Sequence, residues 1–279
     1  MEQKPNNPLF KHFRQPATYI KLPSNGRFWP EGSLDLPVTG EIPVYPMTAR
    51  DEITIRTPDA LMNGQGVVDV IQSCCPNIKD AWSMPSIDVD VILLNIRIAS
   101  YGAEMEFDSV CPACEEDNRF GVALSSLVDQ IAMPDYETPV EFDGLKIVLR
   151  PQPYFEVNRV NQIAFTEQQI LRTVTDDAIP DEEKKSKSDA YLKKLVDLNI
   201  EICASSTRSI TTEEGVVVTD PAFIKEYFDM SDYKVMKEIQ KRLTVINQSA
   251  SVKPVNAKCT KCEHAYDVPL DFNYASFFA

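Results

Sequence analysis

Two cysteine pairs, CPAC at 111–114 and CTKC at 259–262, constrain this chain more than any other feature of its sequence. Their surroundings resemble each other: EFDSVCPACEEDNRFGVALSSL beside KPVNAKCTKCEHAYDVPLDF. Each has an extended lead-in, a tight CxxC turn, a polar link and a return strand in apolar alternation. That layout is a zinc knuckle, which supplies two thiolates of a tetrahedron. Two facing knuckles complete a closed site, so Cys111, Cys114, Cys259 and Cys262 are expected to bind one structural Zn2+ per chain.

Residues 115–258 separate the pairs, far more than a zinc ribbon usually holds. Closure entropy rises only logarithmically with loop length, and a folded insertion can bring its own ends together. Other uses of the cysteines are open. A thioredoxin-like pair sits at a helix N-terminus after a buried strand, whereas both pairs here lie in hairpin-like contexts. A catalytic zinc keeps an open position with a base beside it. Plain core cysteines are the third alternative. His264, just past Cys262, either replaces a thiolate or faces solvent beside the knuckle. Cys74, Cys75 and Cys203 fall on apolar helical faces and read as core.

Residues 1–47 hold much of the proline, which removes backbone donors and favours extended geometry. An arm of short extended pieces and turns is expected. Its aromatic residues, Phe10, Phe13, Tyr19, Phe28, Trp29 and Tyr45, are too many for a solvated linker. The arm packs either on this chain's own body or on a neighbouring subunit; the second is expected, with Phe28 and Trp29 as anchors. The C-terminal LDFNYASFFA places Phe272, Tyr274, Phe277 and Phe278 after the second knuckle, and Phe277 and Phe278 are likewise expected on a partner.

Between the ends, TARDE at 48–52 is close to a capping box, and TPDALMNG reads as a further helical turn ending at Gly64. VVDVIQSCC carries a helical apolar stripe stopped by Pro76. Ser86 is placed to cap IDVDVILLNIRIAS, which ends near Gly102; Asp88 and Asp90 then complement the helix dipole. PVEFDGLKIVLRP alternates around Asp143-Gly144 as a hairpin, SITTEEGVVVTDP reads as a smaller one, and three helices are expected within 151–250.

The expected class is α+β: helical units plus a split zinc-ribbon-like β element. The divisions are an extended arm (1–47), a helical unit (48–105), the first knuckle with a hairpin (106–150), an inserted helical domain (151–250), and the second knuckle with its aromatic tail (251–279).

A net charge of −14, with basic residues dispersed, opposes binding to nucleic acid. No apolar run suits a signal peptide or a membrane span, so a cytosolic protein without membrane contact is expected. The chain has two histidines, His12 and His264, and no phosphate-cradling glycine pattern; NGQG at 63–66 suits a helix end. A non-enzymatic protein is expected.

The segment LPVTGEIPVYPMTARDEITIRTPDALMNGQGVVDVIQSCCPNIKDAWSMPSIDVDVILLNIRIASYG, with LPSNGRFW before it and CPAC after it, resembles the baseplate protein family of T-even-type contractile-tailed bacteriophages. The likeness is dense over about residues 20–125, with CTKC as a second anchor. It implies a tail baseplate hub protein, structural or acting in hub assembly, without catalysis. The implied partners are other baseplate and tail-hub proteins, in several copies of a symmetric assembly, and the implied location is the virion, assembled in the host cytoplasm. Two other classes stand beside it: a zinc-ribbon adaptor on a nucleic-acid enzyme, and a metalloenzyme.

Overall fold

A computed structural model of the chain describes residue 9 and residues 12–57, 64–174, 181–250, 252–268 and 277–278; the side chains of 167–189 and of 250 lie outside that description. Among the described residues it is a mixed structure of eight helices and four small antiparallel sheets. The turn expected over TPDALMNG falls largely outside them, as do Phe10, Phe272 and Tyr274.

The proline-rich arm is folded onto the body. Thr18–Lys21 (β1) pairs with Glu41–Val44 (β2), from Thr18↔Val44 to Lys21↔Glu41. Their alternation turns Ile20, Ile42 and Val44 into the interior. Arg14 fastens the arm further: its guanidinium donates to the carbonyls of Pro46 and Ser73, each at 2.7 Å, and pairs with Asp51 at 3.4 Å. Asp51 also completes the capping box of Ala49–Ile55 (α1), accepting from the Thr48 amide while Thr48 accepts from its own.

Gln65–Cys74 (α2) buries Val67, Val68, Val70, Ile71 and Cys74. Ser86–Tyr101 (α3) ends at Gly102, whose φ of 94° suits glycine. Its start differs from the expectation. Pro85 is the N-cap, without a side-chain cap, and Ser86 is the first helical residue, its amide donating to the Gln152 carbonyl at 2.8 Å. Glu104–Val110 (β3) and Asp117–Ala123 (β4) form the first hairpin and lead into the short helix Leu124–Val128 (α4).

A four-stranded antiparallel sheet follows, in the order β5-β6-β7-β8: Val140–Phe142, Leu145–Leu149, Thr207–Thr211 and Val217–Val218. Asp143 and Gly144 make the β5–β6 turn with φ of 48° and 74°, the conformation that Asp-Gly favours. The helices Tyr154–Val174 (α5) and Asp181–Ser205 (α6) lie between β6 and β7. Pro221–Met230 (α7) is unanticipated, although Asp220 caps it through the Ala222 amide and Pro221 opens it. Tyr233–Ala250 (α8) precedes the second hairpin, Val255–Lys258 (β9) with Ala265–Val268 (β10).

Two apolar clusters result. The first gathers β1, β2 and α1–α3 with Val122, Leu124 and Leu127; the second gathers the four-stranded sheet with α6, α7 and α8. Helix α3 serves both, with Ile87 in the second and Val89 in the first. Beside it Tyr154 donates to the Met84 carbonyl at 2.7 Å and stacks on Trp82. Cys74, Cys75 and Cys203 are fully buried in these clusters, and burial pushes the Cys74 thiol up to about 12 and the Cys203 thiol to about 11.

Candidate metal centre

The two knuckles share one backbone turn. In the first, the Cys111 amide donates to Glu116 O at 2.9 Å and the Glu115 amide to Cys111 O at 2.9 Å. In the second, the Cys259 amide donates to His264 O at 2.9 Å and the Glu263 amide to Cys259 O at 3.1 Å. The residue after each CxxC is left-handed, Glu115 at φ 57° and Glu263 at φ 60°. That turn ends each strand pair and points both thiols of a pair to one side.

The pairs then meet. Cys111 Sγ lies 3.7 Å from Cys262 Sγ, and Cys114 Sγ 3.6 Å from Cys259 Sγ; all four sulfurs lie within 4.8 Å of one another. These gaps are far longer than a disulfide of about 2.05 Å. The two facing gaps match edges of a tetrahedron around zinc, whose metal–sulfur bonds of about 2.3 Å imply edges of about 3.8 Å. The donor set and spacing therefore fit a four-thiolate metal ion. Cys111 and Cys259 are buried, Cys114 is half-buried and Cys262 is exposed.

The facing sulfurs Cys114 and Cys259 are driven apart in acidity: against the pull of the Glu116 amide, contact with the other sulfurs, Cys262 foremost, raises the Cys114 thiol to about 12. The Cys262 amide, with lesser help from the Lys261 amide and the Asn118 side chain, pulls the Cys259 thiol down to about 6. Contacts outside the sulfurs hold the knuckles together. Lys261 Nζ pairs with Glu116 at 2.5 Å, and Phe120 meets Tyr266 edge-on at 6.3 Å between ring centres. His264 is exposed, stacks on Tyr266 at 6.3 Å and stands outside the sulfur cluster.

All four aromatic residues expected on partners pack against this chain's own body, Phe277 and Phe278 fully and Phe28 and Trp29 with part of their surface left open. Phe277 and Phe278 are 3% and 0% exposed in the first cluster. Arg97 Nε holds the Phe277 carbonyl at 3.2 Å, and Arg56 holds the Phe278 carbonyl at 3.0 Å. Trp29 packs on the first cluster and donates to Asp88, while Phe28 packs on the second, edge-on to Tyr136 at 5.7 Å.

Asp88 is the polar residue that sequence reasoning misjudged. It is fully buried and accepts from Ser24 N at 2.9 Å, Ser24 Oγ at 2.5 Å and Trp29 Nε1 at 2.8 Å. Burial pushes its pKa up to about 6, against the opposing pull of those donors. The carboxylate is consumed in tying the arm to α3.

A cleft of about 380 Å³ opens elsewhere, lined in part by Ser86, Tyr136, Arg150, Asn199, Gln240 and Asn247. Among the described residues its polar lining is made of hydroxyl, carboxamide and guanidinium groups. No helix of the described residues is long and apolar enough to cross a membrane.

Fold and site together define a mixed helix-and-sheet protein in which two distant hairpins meet at a four-cysteine cluster able to hold a metal ion. Residues 18–279 match the family described as T4 bacteriophage base plate protein, and the chain belongs to that family. No curated protein and no solved structure matches it. Family membership makes it a structural phage baseplate protein, a component of the virion that interacts with other baseplate proteins.

Proposed function

We propose that the chain is a non-enzymatic structural or assembly protein of the hub of a contractile tail baseplate, with one structural Zn2+ held by Cys111, Cys114, Cys259 and Cys262. The family match over residues 18–279 is the observation that carries the baseplate role. The sulfur spacing supports the zinc, because four convergent thiolates with no vacant protein position suit a closed site. Bound there, zinc would supply a cross-link between distant chain segments.

An acidic body suits protein partners more than nucleic acid. The partners in this reading are other hub proteins, met in a symmetric assembly of several copies put together in the host cytoplasm. Purified tails, fractionated into hub and outer baseplate and probed for this chain, test the reading. The chain is expected with the hub; its recovery only with outer baseplate parts would refute the hub assignment. Native mass spectrometry of the isolated chain tests the metal: one zinc per chain is expected, and none would refute that part.

A further inference from the structure

The two knuckles share a turn but differ in what surrounds their sulfurs. Asn118, just beyond the first pair, is 4% exposed and uses both ends of its carboxamide. Its Oδ1 accepts from the Thr260 amide and from Thr260 Oγ1, each at 2.9 Å. Its Nδ2 donates to the Glu116 carbonyl at 2.9 Å and to Cys259 Sγ at 3.6 Å. The orientation is chemically fixed, since the Thr260 amide can only donate and must meet an oxygen. The matching position after the second pair is Tyr266, which stacks on His264 instead.

We propose that Asn118 is the positioning residue of the four-cysteine site: it sets the second knuckle in register with the first and donates to one sulfur, and so governs metal affinity. The proposal rests on reading the cysteines as a zinc site. Two consequences of the geometry support it. One planar group reaches both sides of the junction, gripping Thr260 within the CTKC turn while anchored on Glu116 in its own knuckle, so the thiols converge before any metal arrives. The N–H to Cys259 also withdraws charge from a sulfur that, with three more thiolates, must surround a dication with net charge of −2. The Lys261 amide, at 3.4 Å, and the Cys262 amide donate to the same sulfur.

Zinc affinity of the full chain, measured by competition with a chromophoric chelator, tests this in wild type, Asn118→Ala and Asn118→Asp. Asn118→Asp keeps the acceptor for Thr260 and loses the donor to sulfur. Wild type is expected to take one zinc, and both variants to bind it about 10–100-fold more weakly. With cobalt(II) in place of zinc, the thiolate-to-metal charge-transfer band should move to lower energy in both variants, because Cys259 keeps more of its charge. Variants that melt at lower temperature yet match wild type in zinc affinity and cobalt spectrum would overturn the proposal and leave Asn118 a packing residue. A wild type that takes no zinc would instead bring down the zinc reading and this proposal with it. Should Asn118→Ala not fold, Asn118→Asp, close to it in volume, decides.

Discussion

Trp29 donates its indole N–H to Asp88 Oδ2 across 2.8 Å, fastening a loop of the proline-rich arm to the first turn of α3. The same oxygen accepts from Ser24 Oγ, and its partner oxygen from the Ser24 amide. Arm and helix are thus one unit, at the point where α3 passes between the two apolar clusters.

A buried carboxylate at this junction makes stability depend on pH. Burial raises the Asp88 pKa to about 6 in the folded chain, above the ordinary value of about 3.9. Folded protein therefore holds a proton that unfolded protein releases between those values, so the contribution of Asp88 is largest below about pH 4 and is lost as pH rises through 6. The loss is on the order of 3 kcal/mol. Tyr136, a titratable group close enough to feel Asp88, stays neutral throughout, its pKa raised by burial and by Asp88. Denaturant unfolding at pH 4.5 and 7.5 should show Asp88→Asn gaining on wild type as pH rises. Parallel pH profiles would contradict it.

Trp29→Phe keeps most of the ring and deletes the donor. A hydrogen bond to a charged acceptor is worth about 1.5–3 kcal/mol, and a neutral pair about 0.5–1.5. The variant should therefore lose more stability at pH 7.5, with Asp88 ionised, than at pH 5. Equal losses at both values would show that packing alone matters.

The legible parts of the sequence were those governed by local rules. The CxxC turns, the Thr48–Asp51 capping box, the Asp143-Gly144 turn and the Gly102 stop each depend on neighbours within a few positions. The gathering of the four sulfurs was legible because metal chemistry requires it. What escaped was set by distant contact. Ser86 looks like a cap, but its amide is taken by Gln152. Asp88 resembles any acid in a first helical turn until Ser24 and Trp29 arrive from the arm. Phe277 and Phe278 read as a sticky end because nothing in their own segment reveals Arg56 and Arg97. The start of α7 does carry a local signal, a capping Asp220 followed by Pro221, but it follows directly on a hairpin-like stretch that blurs it.

Those two phenylalanines should stabilise the isolated chain. Phe278 is fully buried, and truncating such a ring to alanine costs about 3–5 kcal/mol. Phe278→Ala, followed by denaturant unfolding without partners, should show a loss of that size. A change within about 0.5 kcal/mol, the scale of exposed sites, would refute the burial.

Removing metal should act locally. With zinc bound, hydrogen exchange is expected to be slow in β3, β4, β9 and β10; a chelator should speed it there, since the sulfurs bridge the two hairpins. Helices α2 and α3, buried in the first cluster, should keep their protection. Unchanged exchange at 255–268 after complete zinc removal would show that the metal holds nothing in place.

The last prediction concerns the strained corner of each knuckle. Glu115 and Glu263 sit at φ 57° and 60°, where an L side chain costs roughly 1–2 kcal/mol and glycine does not. Comparing glycine with alanine at each site isolates the backbone, because both delete the same carboxylate and, at Glu263, the same exposed ion pair with Lys258. Glycine's greater freedom in the unfolded chain, worth about 0.4–1 kcal/mol, offsets part of the gain. Glu115→Gly should therefore exceed Glu115→Ala in stability by some tenths to about 1 kcal/mol, and the Glu263 pair should behave alike because the turns match in hydrogen bonding. Alanine equal to or better than glycine at both positions, by thermal unfolding of the zinc-loaded chain, would mean that the left-handed corners are not held as described.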